Sequence, residues 1–235
     1  MTATTKDAGG RTAAVLGATG LVGGLCLELL LEDPAWRHVT AIVRRPTGRT
    51  HPKLTEAVAD FDRLEEAGDA LAVDDVFCCL GSTIRKAGSQ EAFYRIDHDY
   101  PVAAAKLASA RGATHFLLVT AVGGNADSRV FYNRVKGEVE RDVAAVPFEG
   151  VGIFRPSLIL GPREERRPAE SAAQLLMPLV TPLLVGPLRK YRAVAAADVA
   201  RAMVRLAREG VRGVRIVESD EIVRLGASGS GSDIR

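Results

Sequence analysis

The chain has 235 residues, 47% apolar and 26% charged, with a net charge of +2. That size and balance suit one globular domain with a substantial core, and the mixed charges offer no basic surface for nucleic acid or an anionic membrane. Its three cysteines (Cys26, Cys78, Cys79) and scattered histidines form neither a disulfide framework nor a ligand spacing, so no metal site is expected.

Residues 1–11 are small and polar, without the apolar core of an export signal, which predicts a flexible start and a cytoplasmic setting. Apolar, strand-like runs then alternate with helical patterns. Strands are expected at 12–17, 38–45, 54–61, 74–81, 114–122, 150–162 and 211–219. Helices are expected at 21–33, at 90–112 with a kink or break near Pro101, around Tyr132, and at 197–210. Adjacent Cys78 and Cys79 read as small residues of a buried strand. The apolar run 172–186 is too short to cross a bilayer and is interrupted by Pro178 and Pro182, so no integral membrane segment is expected. It suits a buried or oligomer-facing segment, a pocket wall or a membrane contact. The Gly/Ser-rich end predicts a flexible tail over 223–235.

Uninterrupted apolar strands alternating with helices indicate a parallel sheet covered on both faces, a doubly wound α/β domain over 12–222. Such sheets bind ligands beyond the carboxyl ends of their strands. After the first strand, "GATGLVGG" spaces Gly17, Gly20 and Gly23 as G-x-x-G-x-x-G and opens an apolar helix. A tight turn there aims free backbone N–H groups at a pyrophosphate, making Gly17, Thr19, Gly20, Leu21, Val22 and Gly23 candidate dinucleotide-binding residues. The second strand ends in Arg44 and Arg45, where enzymes that select NAD usually carry an acid. Arginine accommodates a 2′-phosphate, so NADP(H) is expected over NAD(H).

In "FYNRVKGEVERD" (131–142), Tyr132 and Lys136 stand four residues apart and share a helix face. Phe131, Val135, Val139 and Val143 form the neighbouring apolar stripe, while Glu138, Glu140 and Arg141 read as solvated charges. A cation beside a phenol favours its ionised form, which suits general acid–base work. Thr120 stands near the end of the fifth strand, twelve residues before Tyr132.

With "GATGLVGG", "ADF" after strand three, "CCLGS" after strand four, "YNRVK" and "FRPSLILGP" in place, the chain from about Thr12 to Glu218 resembles an atypical or extended short-chain dehydrogenase/reductase. More narrowly, "FCCLGSTIRKAG", "YRIDHDY" and "YNRVKGEVE" resemble the NAD(P)-binding oxidoreductases named for interacting with the HIV Tat protein. The resemblance implies a single-domain Rossmann fold with a small C-terminal segment, from about 163 to 190, on the substrate side. It implies that Asp60 and Phe61 border the adenine and that Leu80 and Gly81 line the ribose and phosphate side. Pro156, Ser157 and Leu158 would pass the nicotinamide, "VAAADVA" (194–200) would pack nearby, and Lys136 would also bond the nicotinamide ribose. The helices beside strands four and five are surfaces through which relatives pair, so a homodimer is one expectation.

What the resemblance implies is an oxidoreductase acting on a small carbonyl or alcohol, with Tyr132, Lys136 and Thr120 as its catalytic residues. Two departures stand against it. Asp97 occupies the place of the family's asparagine, and Ala121 follows Thr120 where close relatives can carry a second serine. These keep open an NADP(H)-binding regulator with little chemistry. An isomerase or dehydratase is disfavoured, because only about 60 residues follow "FRPSLILGP" before the tail, too few for a large substrate lobe.

Overall fold

The computed structural model describes residues 9–161, 186 and 191–227. Seven strands form one sheet: β1 (Arg11–Leu16), β2 (Trp36–Val43), β3 (Leu54–Val58), β4 (Asp75–Cys78), β5 (His115–Val119), β6 (Gly150–Arg155) and β9 (Gly213–Glu218). Their order is β3-β2-β1-β4-β5-β6-β9, and every pairing is parallel. The order reverses direction between β1 and β4, which opens a crevice at the carboxyl ends of those two strands. Strands β7 (Ile159–Leu160) and β8 (Val194–Ala195) make a separate parallel pair.

Alternate residues of each strand enter opposite cores, as the two-residue period requires. Val15, Val39, Phe77, Leu117 and Phe154 face helices α1 (Leu21–Glu32) and α6 (Ala196–Glu209). Leu16, Ile42, Val76, Phe116 and Ile153 face the opposite layer. There lie a 3₁₀ run (Phe61–Leu71), α4 (Tyr100–Ala110) and α5 (Phe131–Ala144). This is the doubly wound parallel sheet read from the sequence, and it is a single Rossmann domain.

Several elements differ from the sequence expectation. Strand three stops at Val58, because Asp60 caps the 3₁₀ run by accepting from the Asp62 N–H. Strand six breaks at Pro156, whose ring nitrogen cannot donate, and resumes as β7. Two short helices, α2 (Ile84–Ala87) and α3 (Gln90–Tyr94), lead into a π turn (Arg95–Asp99) continuous with α4. The expected break near Pro101 is therefore a wide turn in which the Tyr100 N–H reaches the Arg95 carbonyl. At the far end, α7 (Ser219–Ala227) runs through the first residues assigned to the tail, with Ile222 and Gly226 buried against α6. At the start, Arg11 already belongs to β1. Residues 163–185 and 187–190, which hold the expected pocket cover and most of the apolar run, lie outside the described residues.

The amino-terminal edge of the sheet is pinned by a buried carboxylate. Asp75 accepts from the Trp36 indole N–H at 2.8 Å, pairs with Arg11, and lies 3.1 Å from His115 Nδ1. Those four residues begin or flank the starts of β1, β2, β4 and β5, so one side chain ties four strands together.

Candidate functional site

At the opposite, carboxyl edge, a cavity of about 780 Å³ opens beside the glycine turn. That volume is within the usual range for small-molecule sites. The turn owes its shape to contact. Gly17 has φ +79°, and a Cβ there would stand 2.6 Å from the Cys79 carbonyl. A Cβ on Gly23 would collide with the Gly17 carbonyl, so this glycine lets α1 close onto its own turn. Gly20 is the N-cap of α1 and offers no side-chain cap. The first-turn N–H groups therefore look into the cavity, which Thr19, Gly20, Leu21 and Val22 line. An uncapped helix start in a glycine cradle fits a pyrophosphate.

The rest of the wall comes from the ends of β4, β5 and β6 and from α5: Leu80 and Gly81, Thr120, Tyr132 and Lys136, then Pro156, Ser157 and Leu158. Pro156 to Leu158 are held by their surroundings. The Ser157 N–H donates to the buried Ser219 hydroxyl at 2.6 Å, and Leu158 accepts from Val194 at 2.9 Å. The latter contact joins Val194, the first residue of the 194–200 segment, to this part of the wall.

On α5, Val135, Val139 and Val143 are fully buried, and the tyrosine and lysine sit at the edge of that stripe. Tyr132 packs against Phe93 with ring centroids 5.6 Å apart and planes tilted by 36°, and Lys136 Nζ lies 6.0 Å from the Tyr132 ring centre. Lys136 is buried and donates to Asp97 Oδ1 at 2.7 Å. Burial alone would push this ammonium down, but the Asp97 carboxylate and the Tyr132 side chain outweigh it and the net shift is upward. Burial raises the Asp97 carboxyl, with Lys136 and the Ser82 N–H opposing. Cys78, beneath the wall, is pushed up to about 12 by burial and behaves as a packed hydrophobe.

Some expected residues are placed elsewhere. Thr120 lines the cavity, yet its hydroxyl donates to Glu140 Oε1 at 2.6 Å, so its proton is committed inward. Glu140 itself is buried and grips the Arg155 guanidinium, which also reaches Glu218; the reading of Glu140 as a solvated charge is corrected. Phe61 turns into the core against Tyr100, and neither it nor Asp60 lines this cavity or its neighbour. Arg44 and Arg45 are exposed and line neither. A second cavity of about 320 Å³ shares Thr19 and Gly20 with the first and is walled by Thr47, Arg49 and Glu56. Sequence reasoning missed these three, because only the fold brings the 44–53 loop, with Thr47 and Arg49, and Glu56 of β3 beside the glycine turn. It also left Ser82, Thr83 and Lys86 unassigned, although they follow the strand-four end where ligands are expected.

Residues 17–145 match a family described as NAD(P)H-binding. Protein HTATIP2 of Rattus norvegicus is 35% identical over 222 residues, covering 92% of this chain and 90% of the relative. Protein FMP52, mitochondrial, of Eremothecium gossypii is 36% identical over 216 residues, covering 91% and 96%. Among solved structures, the Bordetella bronchiseptica enzyme WbmH in complex with NAD+ has a TM-score of 0.65 at 16% identity, covering 89% of this chain and 76% of that one. It shares the fold. The fungal relatives are named mitochondrial, which overturns the cytoplasmic expectation. That expectation rested on a missing apolar signal core, and mitochondrial addresses are amphipathic and basic instead. Among the described residues, no helix is long and apolar enough to cross a membrane.

Proposed function

Because this chain belongs to the NAD(P)H-binding family that includes HTATIP2 and FMP52 as its relatives, we propose that it is an NADP(H)-dependent oxidoreductase acting on a small carbonyl or alcohol. The observation that supports this best is convergence. The uncapped start of α1 and the Tyr132/Lys136 pair, from chain segments more than a hundred residues apart, line one cavity. When bound, the nicotinamide supplies or accepts hydride.

The protein's own residues do the rest in this reading. The α1 amides hold the pyrophosphate, and Leu80 and Gly81 flank the ribose. The Pro156–Leu158 wall orients the nicotinamide face. Tyr132 delivers a proton to the substrate oxygen or removes it, and Lys136 supplies the positive charge beside it. Arg49 on the second cavity, with Arg44 and Arg45 close by in sequence, supplies the cations for a 2′-phosphate. Titration with both cofactors tests the preference; tighter NADH binding overturns it. The mitochondrial names of the fungal relatives suggest that compartment for this protein too.

The deciding experiment is a screen of carbonyl substrates following NADPH absorbance, with Tyr132→Phe as control. The variant is expected to lose turnover and keep cofactor binding. Unchanged turnover in Tyr132→Phe removes Tyr132 from the chemistry. A second reading, a cofactor-binding regulator, is favoured by one observation: the Thr120 hydroxyl donates to Glu140 and not toward Tyr132. Cofactor binding without turnover on any carbonyl class selects that reading.

A further inference from the structure

The least explained group at the site is Asp97. It stands in the π turn, is 2% exposed, and lies on the cavity wall with Ser82 and Lys136. Each of its oxygens has its own donor: Oδ1 takes the Lys136 ammonium at 2.7 Å and Oδ2 takes the Ser82 N–H at 2.9 Å. An asparagine could not serve both. It has one acceptor oxygen, and its NH₂ would face either an ammonium or a backbone N–H, donor against donor. The position therefore calls for a carboxylate. The π turn contributes to aiming it. An inserted residue rotates the succeeding side chains by about 100° around a helix axis of 3.6 residues per turn, and such turns recur where a side chain must be redirected. Here Tyr100 separates the turn from Pro101, which has no N–H to close an ordinary helical bond.

We propose that Asp97 is a positioning residue: one buried carboxylate that fixes both the Lys136 ammonium and the Gly81–Ser82 end of the β4 loop, so that cofactor wall and catalytic lysine are set together. Its catalytic meaning rests on the Tyr132/Lys136 reading above, whereas its effect on cofactor binding does not. Lys136 would otherwise be a flexible cation in a buried site, free to swing between the Tyr132 ring and the cavity. Held by Asp97, it presents its charge from one place.

The test is a double-mutant cycle on NADPH affinity, with Asp97→Asn, Lys136→Met and the double variant of the full chain. Each single variant is expected to weaken binding about tenfold, the size of one lost hydrogen bond to a charged group. The double variant should lose less than the product of the two single losses, because the Lys136 arm of Asp97 is common to both while the Ser82 arm is not. In protein labelled with ¹⁵N-lysine, a slowly exchanging ammonium signal that is absent from Lys136→Met should also be lost in Asp97→Asn. Additive losses across the cycle, or wild-type affinity with the ammonium signal intact in Asp97→Asn, overturn the proposal. If Asp97→Asn does not fold, Asp97→Ser takes its place, with the same losses expected. A wild-type protein that binds NADPH and reduces no carbonyl overturns the oxidoreductase reading and leaves the cycle to decide Asp97.

Discussion

Lys136 and Glu140 are one turn apart on α5, both buried and both paired, yet they serve different masters. Lys136 faces the cavity and Asp97; Glu140 faces Thr120 and Arg155 beneath it. Thr120→Val should therefore act on stability first. Losing a hydrogen bond to a charged partner costs about 1.5–3 kcal/mol, and a domain of this size loses about 2–4 °C in Tm per kcal/mol. Turnover per folded molecule is expected to stay near wild type, measured by initial rates normalised to folded protein. Collapse of turnover at unchanged Tm would return Thr120 to the chemistry. At Gly17 the cost is conformational as well as steric. A left-handed φ disfavours any Cβ by about 1–2 kcal/mol, and the Cys79 carbonyl stands in its way. Gly17→Ala should lower Tm and weaken NADPH binding together, read by thermal shift with and without cofactor.

At the scale of elements, α5 carries the site and its anchor on adjoining faces. Its buried valines were legible from their spacing, but Gly137 was not. A Cβ there would run into the backbone of Asn125 and Ala126, so this glycine lets the loop after β5 lie flat on the helix. Gly137→Ala improves helix propensity and still should destabilise, since overpacking costs about 1–3 kcal/mol against about 1 kcal/mol gained. A raised Tm would show that the loop moves aside freely. The last helix, α7, shows a signal passed over: Ser219 with Asp220 and Glu221 at its start is an ordinary helix opening. Gly/Ser-rich composition just beyond it drew the tail boundary too early.

At the scale of the whole molecule, each end of the strands carries a buried polar cluster among the described residues, and the strand order puts the crevice at the carboxyl end. The Asp75, Arg11, His115 and Trp36 cluster contains a His–Asp contact, but it sits at the strand starts, away from the glycine turn. Asp75→Asn is expected to lower stability and leave the NADPH affinity of the folded protein unchanged; a large change in affinity would refute a purely structural role. The carboxyl edge has its own pH signature. Lys136 is raised in the fold above its ordinary 10.5, so the stability it contributes is complete below that value and is lost as pH rises through the raised one. In Asp97→Asn the strongest of the groups opposing burial is gone and Tyr132 alone opposes it less, so the alkaline loss should begin at lower pH. Thermal melts across the alkaline range read this; an unshifted profile would mean that Asp97 does not sustain the Lys136 charge.

The sequence alone determined the parallel sheet, the glycine turn and the Tyr132/Lys136 face, because each is a local matter: apolar runs, a turn into a helix, and four-residue spacing. Only the tertiary structure decided which polar groups meet. Thr120 and Glu140, Asp97 with Lys136 and Ser82, and Arg49 beside the glycine turn are pairings across 15 to 39 residues or between separate elements. No periodicity records such pairings, because buried charges take the partners that packing leaves within hydrogen-bond reach.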